Sequence, residues 1–170
     1  MSLTRLLCLL CLLSLFSLAS GQDHSAPAAP DSCPVTKAAT HPFVPPPPHP
    51  AKPAVDSFWF GTDTLWTFLP VSGTWRLGHY TPHDPTFRQK LFFWRQGFNP
   101  HTDLEPRLTV SGKRIDTEAP PLQTDGPGSN SWTKDDQFIV TGINFPTAGC
   151  WEVTGHYGKD ELTFVVWVSP

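Results

Sequence analysis

The chain has 170 residues, 12 of them basic and 15 acidic, for a formal net charge of −3 at pH 7. No run of Lys or Arg is longer than two residues, which argues against nucleic acid and anionic membrane surfaces as partners. Seven tryptophans and twenty prolines in a chain of this size point to a packed but turn-rich protein.

Residues 1–21 have the plan of a secretory signal peptide: Arg5, then the apolar run LLCLLCLLSLFSLA, then the small residues Ala19-Ser20-Gly21. The cut falls after Ala19 or Gly21, and the run is also long enough to serve as an uncleaved anchor. Neither Cys8 nor Cys11 is placed as a lipid acceptor would be. Without Arg5 the charge becomes −4, with 11 basic against 15 acidic residues. The mature chain is long enough for one domain with a sizeable core.

Residues 22–56 form a proline-rich arm or linker holding ten of the twenty prolines, including the run Pro45 to Pro48. Proline lacks the amide donor and fixes φ, so polyproline II replaces helix or inner strand here. The arm is expected to act as a spacer or, alternatively, as a partner ligand.

Residues 57–170 carry all seven tryptophans, both tyrosines and ten phenylalanines. SFWFG, TLWTFLP, GTWRLGHY, FRQKLFFWR, RLTVSGKRI, QFIVTGINF, CWEVTGHY and ELTFVVWV read as up to eight strands. Turn signals separate them at Pro70-Val-Ser-Gly73, Gln123-Thr-Asp-Gly126 and Tyr157-Gly-Lys-Asp160. This pattern predicts an all-β antiparallel sandwich.

Once the leader is removed, two cysteines remain in an oxidising compartment, Cys33 and Cys150, and one disulfide between them is the economical pairing. Alternation along GCWEVTG puts Trp151 and Val153 on the inward face and Cys150, Glu152 and Thr154 on the outward one. In the following strand Leu162, Phe164, Val166 and Val168 are apolar, but so are Val165 and Trp167 on the opposite face. A strand apolar on both faces is either central in its sheet or covered on its outer side. The stapled arm is therefore expected over it, with Val35, Phe43 or Val44 in contact.

Phe87–Gln96 places Phe87, Leu91 and Phe93 on one face and Arg88, Lys90, Phe92 and Trp94 on the other. The outward set is exposed, or a bulge switches the register, or a neighbouring loop covers it. With Arg95 it makes the strongest candidate ligand-binding group, because aromatic faces stack on sugar rings and Arg supplies directed hydrogen bonds. On this reading Trp94→Ala abolishes ligand capture and leaves folding intact. The contact would use a sheet edge or the loops Tyr80 to Pro85 and Phe98 to Asp103.

LFFWR, LTVSGKRID, APPL and INFPTAGCWEVTG…LTFVVWV, together with CPVT, LWTFLP and GTW, resemble a family of uncharacterised secreted bacterial proteins with an immunoglobulin-like fold. The likeness covers most of the chain after Asp31. It implies a bacterial envelope or extracellular setting, and supplies no catalytic residues.

Chemistry-bearing residues are sparse. His79, His83 and His101 stand in or beside loops, with Asp84 and Asp103 near two of them, and are weak candidates for zinc or copper; His41 and His49 lie in the arm. There is no Gly-x-Ser-x-Gly elbow and no cysteine poised beside histidine. Asp135, Asp136, Asp160 and Glu161 read as turn charges, and Glu152 as a partner for Lys or Arg. The sequence thus predicts a secreted, extracellular or periplasmic protein without enzymatic activity or cofactor. It would be a binding or structural module for a cell-wall glycan or an envelope protein, with no membrane attachment after cleavage. The alternative is an envelope protein that binds metal through the loop histidines.

Overall fold

The computed structural model describes residues 28–79 and 81–170, so the leader and Tyr80 lie outside the described residues. Ten strands follow in chain order: β1 (Ser57–Gly61), β2 (Leu65–Pro70), β3 (Thr74–Arg76), β4 (Phe87–Arg95), β5 (Leu108–Arg114), β6 (Gln123–Thr124), β7 (Ser129–Trp132), β8 (Gln137–Phe145), β9 (Gly149–Tyr157) and β10 (Asp160–Ser169). They make two sheets, one ordered β1-β2-β4-β8-β6 with β7 also on β8, the other β3-β10-β9-β5. The chain is an all-β sandwich, as the turn spacing predicts. Pairing is antiparallel except for β3, which runs parallel to β10.

Two strands depart from the reading of the sequence. Gln123–Thr124, taken there as part of a turn, pairs with Asn144 and Ile143, and Ser129–Trp132 pairs with the other end of β8. Both are short, polar edge segments without the apolar alternation that marks the other strands.

On β4, β9 and β10 the core between the sheets is built from the predicted phases. Trp151, Val153, Leu162, Phe164, Val166 and Val168 face Leu91, Phe93, Ile139, Ile143 and Phe145. Phe93 closes on Gly155, where an added Cβ would lie 2.4 Å from its ring. Absence of a side chain on β9 is what lets the ring reach the opposite sheet.

Cys33 and Cys150 form the expected disulfide, 117 residues apart in sequence. Cys150 has the outward phase yet is fully buried, because the bonded arm covers it. The arm follows the expected course against β10 only over its first residues, and then departs from it. Thr36 sits against β10, its N–H donating to the Val165 carbonyl at 2.9 Å and its Oγ1 accepting from the Val165 N–H at 2.8 Å. Val35 packs at Gly73, in the turn that leads into β3. Phe43 does not cover the β9–β10 face but packs on Trp66 of the first sheet, with ring centroids 6.0 Å apart. Val44 is exposed. The arm therefore starts on the outside of one sheet and rounds the edge of the sandwich to the outside of the other. The reason lies in what each face offers: Trp59, Trp66 and Trp94 form a second apolar cluster there, flanked by Phe43, Phe68, Phe92 and Phe138.

Candidate functional site

Strand β4 is the axis of every candidate site. Its even-numbered residues point outward as the alternation predicts, but the structure divides them between two surroundings. Trp94 is 5% exposed and is not available to a ligand. Its indole meets Trp59 edge-on at 5.1 Å, and its N–H donates to Asp136 at 2.9 Å and 3.0 Å. His49 of the arm fits between Trp59, Trp66 and Trp94, ring centroids 5.5–6.3 Å away, with Nδ1 3.4 Å from Asp136. Trp59 donates to the Pro50 carbonyl at 2.9 Å. The expectation that Trp94→Ala spares folding is thereby corrected: this indole belongs to a core whose lid is the arm.

Arg95 belongs to a third setting. It has the opposite phase from Trp94, and its guanidinium lies 4.6 Å over the Tyr157 ring. The Tyr157 hydroxyl donates to Asp103 at 2.5 Å. Burial pushes the phenol above its ordinary value, and the hydrogen bond to Asp103 adds to the shift.

Arg88, Lys90 and Phe92 remain together and line a cleft of about 910 Å³. Its origin is a break in strand pairing. β2 and β4 pair only at Leu65–Arg95 and Trp66–Trp94, after which the chain turns at Val71–Gly73 into β3 of the other sheet. Past that point side chains provide hydrogen bonds where a neighbouring backbone would in a continuous sheet. Thr67 Oγ1 donates to the Phe92 carbonyl at 2.7 Å, and the Lys90 N–H donates to Gln89 Oε1 at 3.2 Å. Phe68 and Phe92 stack across the opening at 6.0 Å, and the interior is walled by Trp75 and Leu91. Arg88 is ion-paired with Asp125. Thr67 and Phe68 of β2, together with Gln89 and Leu91, were missed from the sequence, where nothing in TLWTFLP marks the point at which pairing stops.

The histidines do not come together. His79 and His83 precede β4 and His101 follows it, so a nine-residue strand separates them by about 30 Å. His79 shares a hydrogen bond with the Thr86 carbonyl and packs on Phe87 at 4.6 Å. His101 packs on the exposed Trp132 at 5.4 Å. Asp84 is held below the ordinary carboxylate value by hydrogen bonds from Thr86. Among the described residues no three His, Cys, Asp or Glu side chains gather as a metal site would require. The same geometry separates the loops before and after β4, which cannot join in one contact surface.

Several of the other acids have structural partners. Glu152 pairs with Lys113 at 3.1 Å, as expected of an exposed strand carboxylate, and Asp160 accepts from Thr64 at 3.1 Å. Asp116 is bound by Arg114 at 2.7 Å and accepts from the Cys150 N–H at 3.2 Å, which ties the β5 end to the disulfide strand. Among the described residues no helix is long and apolar enough to cross a membrane.

Comparison of the chain with protein-family models, with curated proteins and with solved structures gives no match. The fold and the cleft therefore stand on their own geometry.

Proposed function

We propose that this chain is a secreted bacterial envelope or extracellular protein whose sandwich binds a ligand without turning it over, and that the β2–β4 cleft is where it binds. The cleft carries this reading: an apolar interior opening past donor groups is the usual composition of a ligand site. Its volume of about 910 Å³ lies within the range of about 300–1,000 Å³ typical of such sites. The buried disulfide is compatible with an extracellular or periplasmic setting. The bacterial assignment rests on the resemblance of the CPVT and GCWEVTG…LTFVVWV motifs. Metal handling has no comparable support, given histidines at opposite ends of β4.

The test compares the exported, oxidised chain with Gly78→Trp. Gly78 lines the cleft, and an added Cβ there meets nothing within 4 Å, so a large side chain can obstruct the opening without disturbing the fold. Cell-wall glycan fragments, extended peptides and single-chain amphiphiles are titrated while the Trp75 indole N–H is followed by NMR, assigned by its loss in Trp75→Phe. A saturable shift that Gly78→Trp abolishes supports the reading. Silence of the Trp75 signal across the panel overturns it.

A further inference from the structure

The chemistry of the cleft narrows the ligand class, an inference that rests on the cleft being the binding site. Four of its lining residues, Phe68, Trp75, Leu91 and Phe92, are apolar; Trp75 and Leu91 are buried, and Phe68 and Phe92 half-buried. At the opening stand Lys90 and Gln89. The Lys90 side chain is exposed and takes part in no ion pair among the described residues. Gln89 Oε1 is engaged with the Lys90 N–H, which leaves the amide NH₂ of Gln89 as the group to offer a ligand. Arg88 adds a second positive charge, shared with Asp125 outside the lining. Among the described residues no Asp or Glu lines the cleft.

A neutral apolar ligand would bury its surface in this cleft and leave the donors unused. A cationic ligand would meet Lys90 and Arg88 with no lining carboxylate to offset them. An anion without an apolar body would gain little from two phenylalanines, a tryptophan and a leucine. We infer that the β2–β4 cleft binds a free, single-chain anionic amphiphile, its apolar body between Phe68, Phe92, Trp75 and Leu91 and its carboxylate at Lys90 and Gln89. The ammonium of Lys90 is a compact charge on a flexible stem, suited to a headgroup held at a rim. The body gains by leaving water, and the headgroup keeps part of its hydration.

The experiment uses the oxidised full chain with dodecanoate below its critical micelle concentration. Dodecanol and dodecyltrimethylammonium serve as the neutral and cationic counterparts, and phosphatidylglycerol vesicles as the membrane arm. The Trp75 indole signal reports the cleft, and calorimetry gives the affinity. Expected is saturable dodecanoate binding, at least tenfold tighter than either counterpart, and at least tenfold weaker in Lys90→Glu with an unchanged melting temperature. Lys90→Arg should bind within about threefold of the parent.

Three results overturn the anionic-amphiphile inference. One is equal binding of dodecanol with no effect of Lys90→Glu. Another is a Trp75 response to a glycan or peptide but not to dodecanoate, which leaves the cleft as a site and removes its assigned ligand. The last is association with vesicles without binding of the monomer. If neither the amphiphiles nor any other member of the panel moves the Trp75 signal, the cleft itself is not a binding site and the wider reading falls with it.

Discussion

Trp94 donates its indole N–H to both carboxylate oxygens of Asp136, at 2.9 Å and 3.0 Å, beneath the ring of His49. This contact joins a buried aromatic of the first sheet to the turn between β7 and β8, and makes the arm part of a second core. Asp136→Ala leaves the indole donor without its acceptor, at an expected cost of about 1–3 kcal/mol. Asp136→Asn keeps an acceptor oxygen and should cost less. Trp94→Ala, by emptying a ring-sized space, should cost about 3–5 kcal/mol. Denaturant unfolding with tryptophan emission ranks the three, and a Trp94→Ala variant as stable as the parent would show that this cluster contributes nothing to folding.

Reduction of the disulfide should loosen the arm and lower stability by about 4–5 kcal/mol in the chain-entropy account, since the bond spans 117 residues. Emission should shift to the red at the same time, because Trp59, Trp66 and Trp94 lose their cover. Cys33→Ser should reproduce both effects without reductant. An unchanged emission maximum would mean that packing alone holds the arm in place.

Arg114 holds Asp116 below its ordinary 3.8, with burial opposing the shift and the Cys150 N–H reinforcing it. A depressed folded-state value stabilises the fold above about 3.8 and ceases to do so as pH falls through the lower value of the folded state. Asp116→Asn should therefore unfold with a shallower dependence on pH below about 4 than the parent. The comparison is of melting temperature against pH, and identical slopes would count against this pair.

Tyr157 presents the opposite sign. Burial and Asp103 raise its phenol above 10.0, so its contribution is whole below pH 10 and is lost as pH rises through the folded-state value. With only two tyrosines in the chain, ultraviolet titration can resolve the late phenol. Tyr157→Phe should remove that late step and flatten the loss of stability in alkali.

Gly155→Ala tests the closeness of the two sheets. Its Cβ would lie 2.4 Å and 2.6 Å from Phe93 ring atoms, so the ring or β9 must shift, at an expected cost of about 1–3 kcal/mol. The double variant Gly155→Ala with Phe93→Leu should lose less than the sum of the two single changes, which a double-mutant cycle reads directly.

The alternation of Cys150, Glu152 and Thr154 against Trp151 and Val153 made the core phase legible, because strand periodicity is a local property, and the two cysteines outside the leader made the disulfide so. The destination of the arm was not. Polyproline II has no partner pattern of its own, so its path depends on which face holds uncovered tryptophans, a fact of tertiary structure. Trp94 illustrates the division: its outward phase could be read from Phe87–Gln96 and a cover over it was among the readings, but that the arm supplies this cover could not be read. Arg88, Lys90 and Phe92 stay together at the cleft, whereas Arg95 sits on the other phase over Tyr157, and adjacency in sequence concealed the separation. The cleft exists because pairing ends after Trp66–Trp94, and no residue type announces such an ending.

Thr36 has a consequence for how molecules of this protein meet one another. β3 accompanies β10 over only three residues, Trp167–Ser169, and beyond them a ten-residue strand would present an open ladder of donors and acceptors. By taking up both the N–H and the carbonyl of Val165, Thr36 occupies the rung where a second chain would dock. The staple at Cys33, three residues earlier, holds Thr36 at that rung, and loss of the staple is expected to leave the β10 edge open to pairing with another molecule.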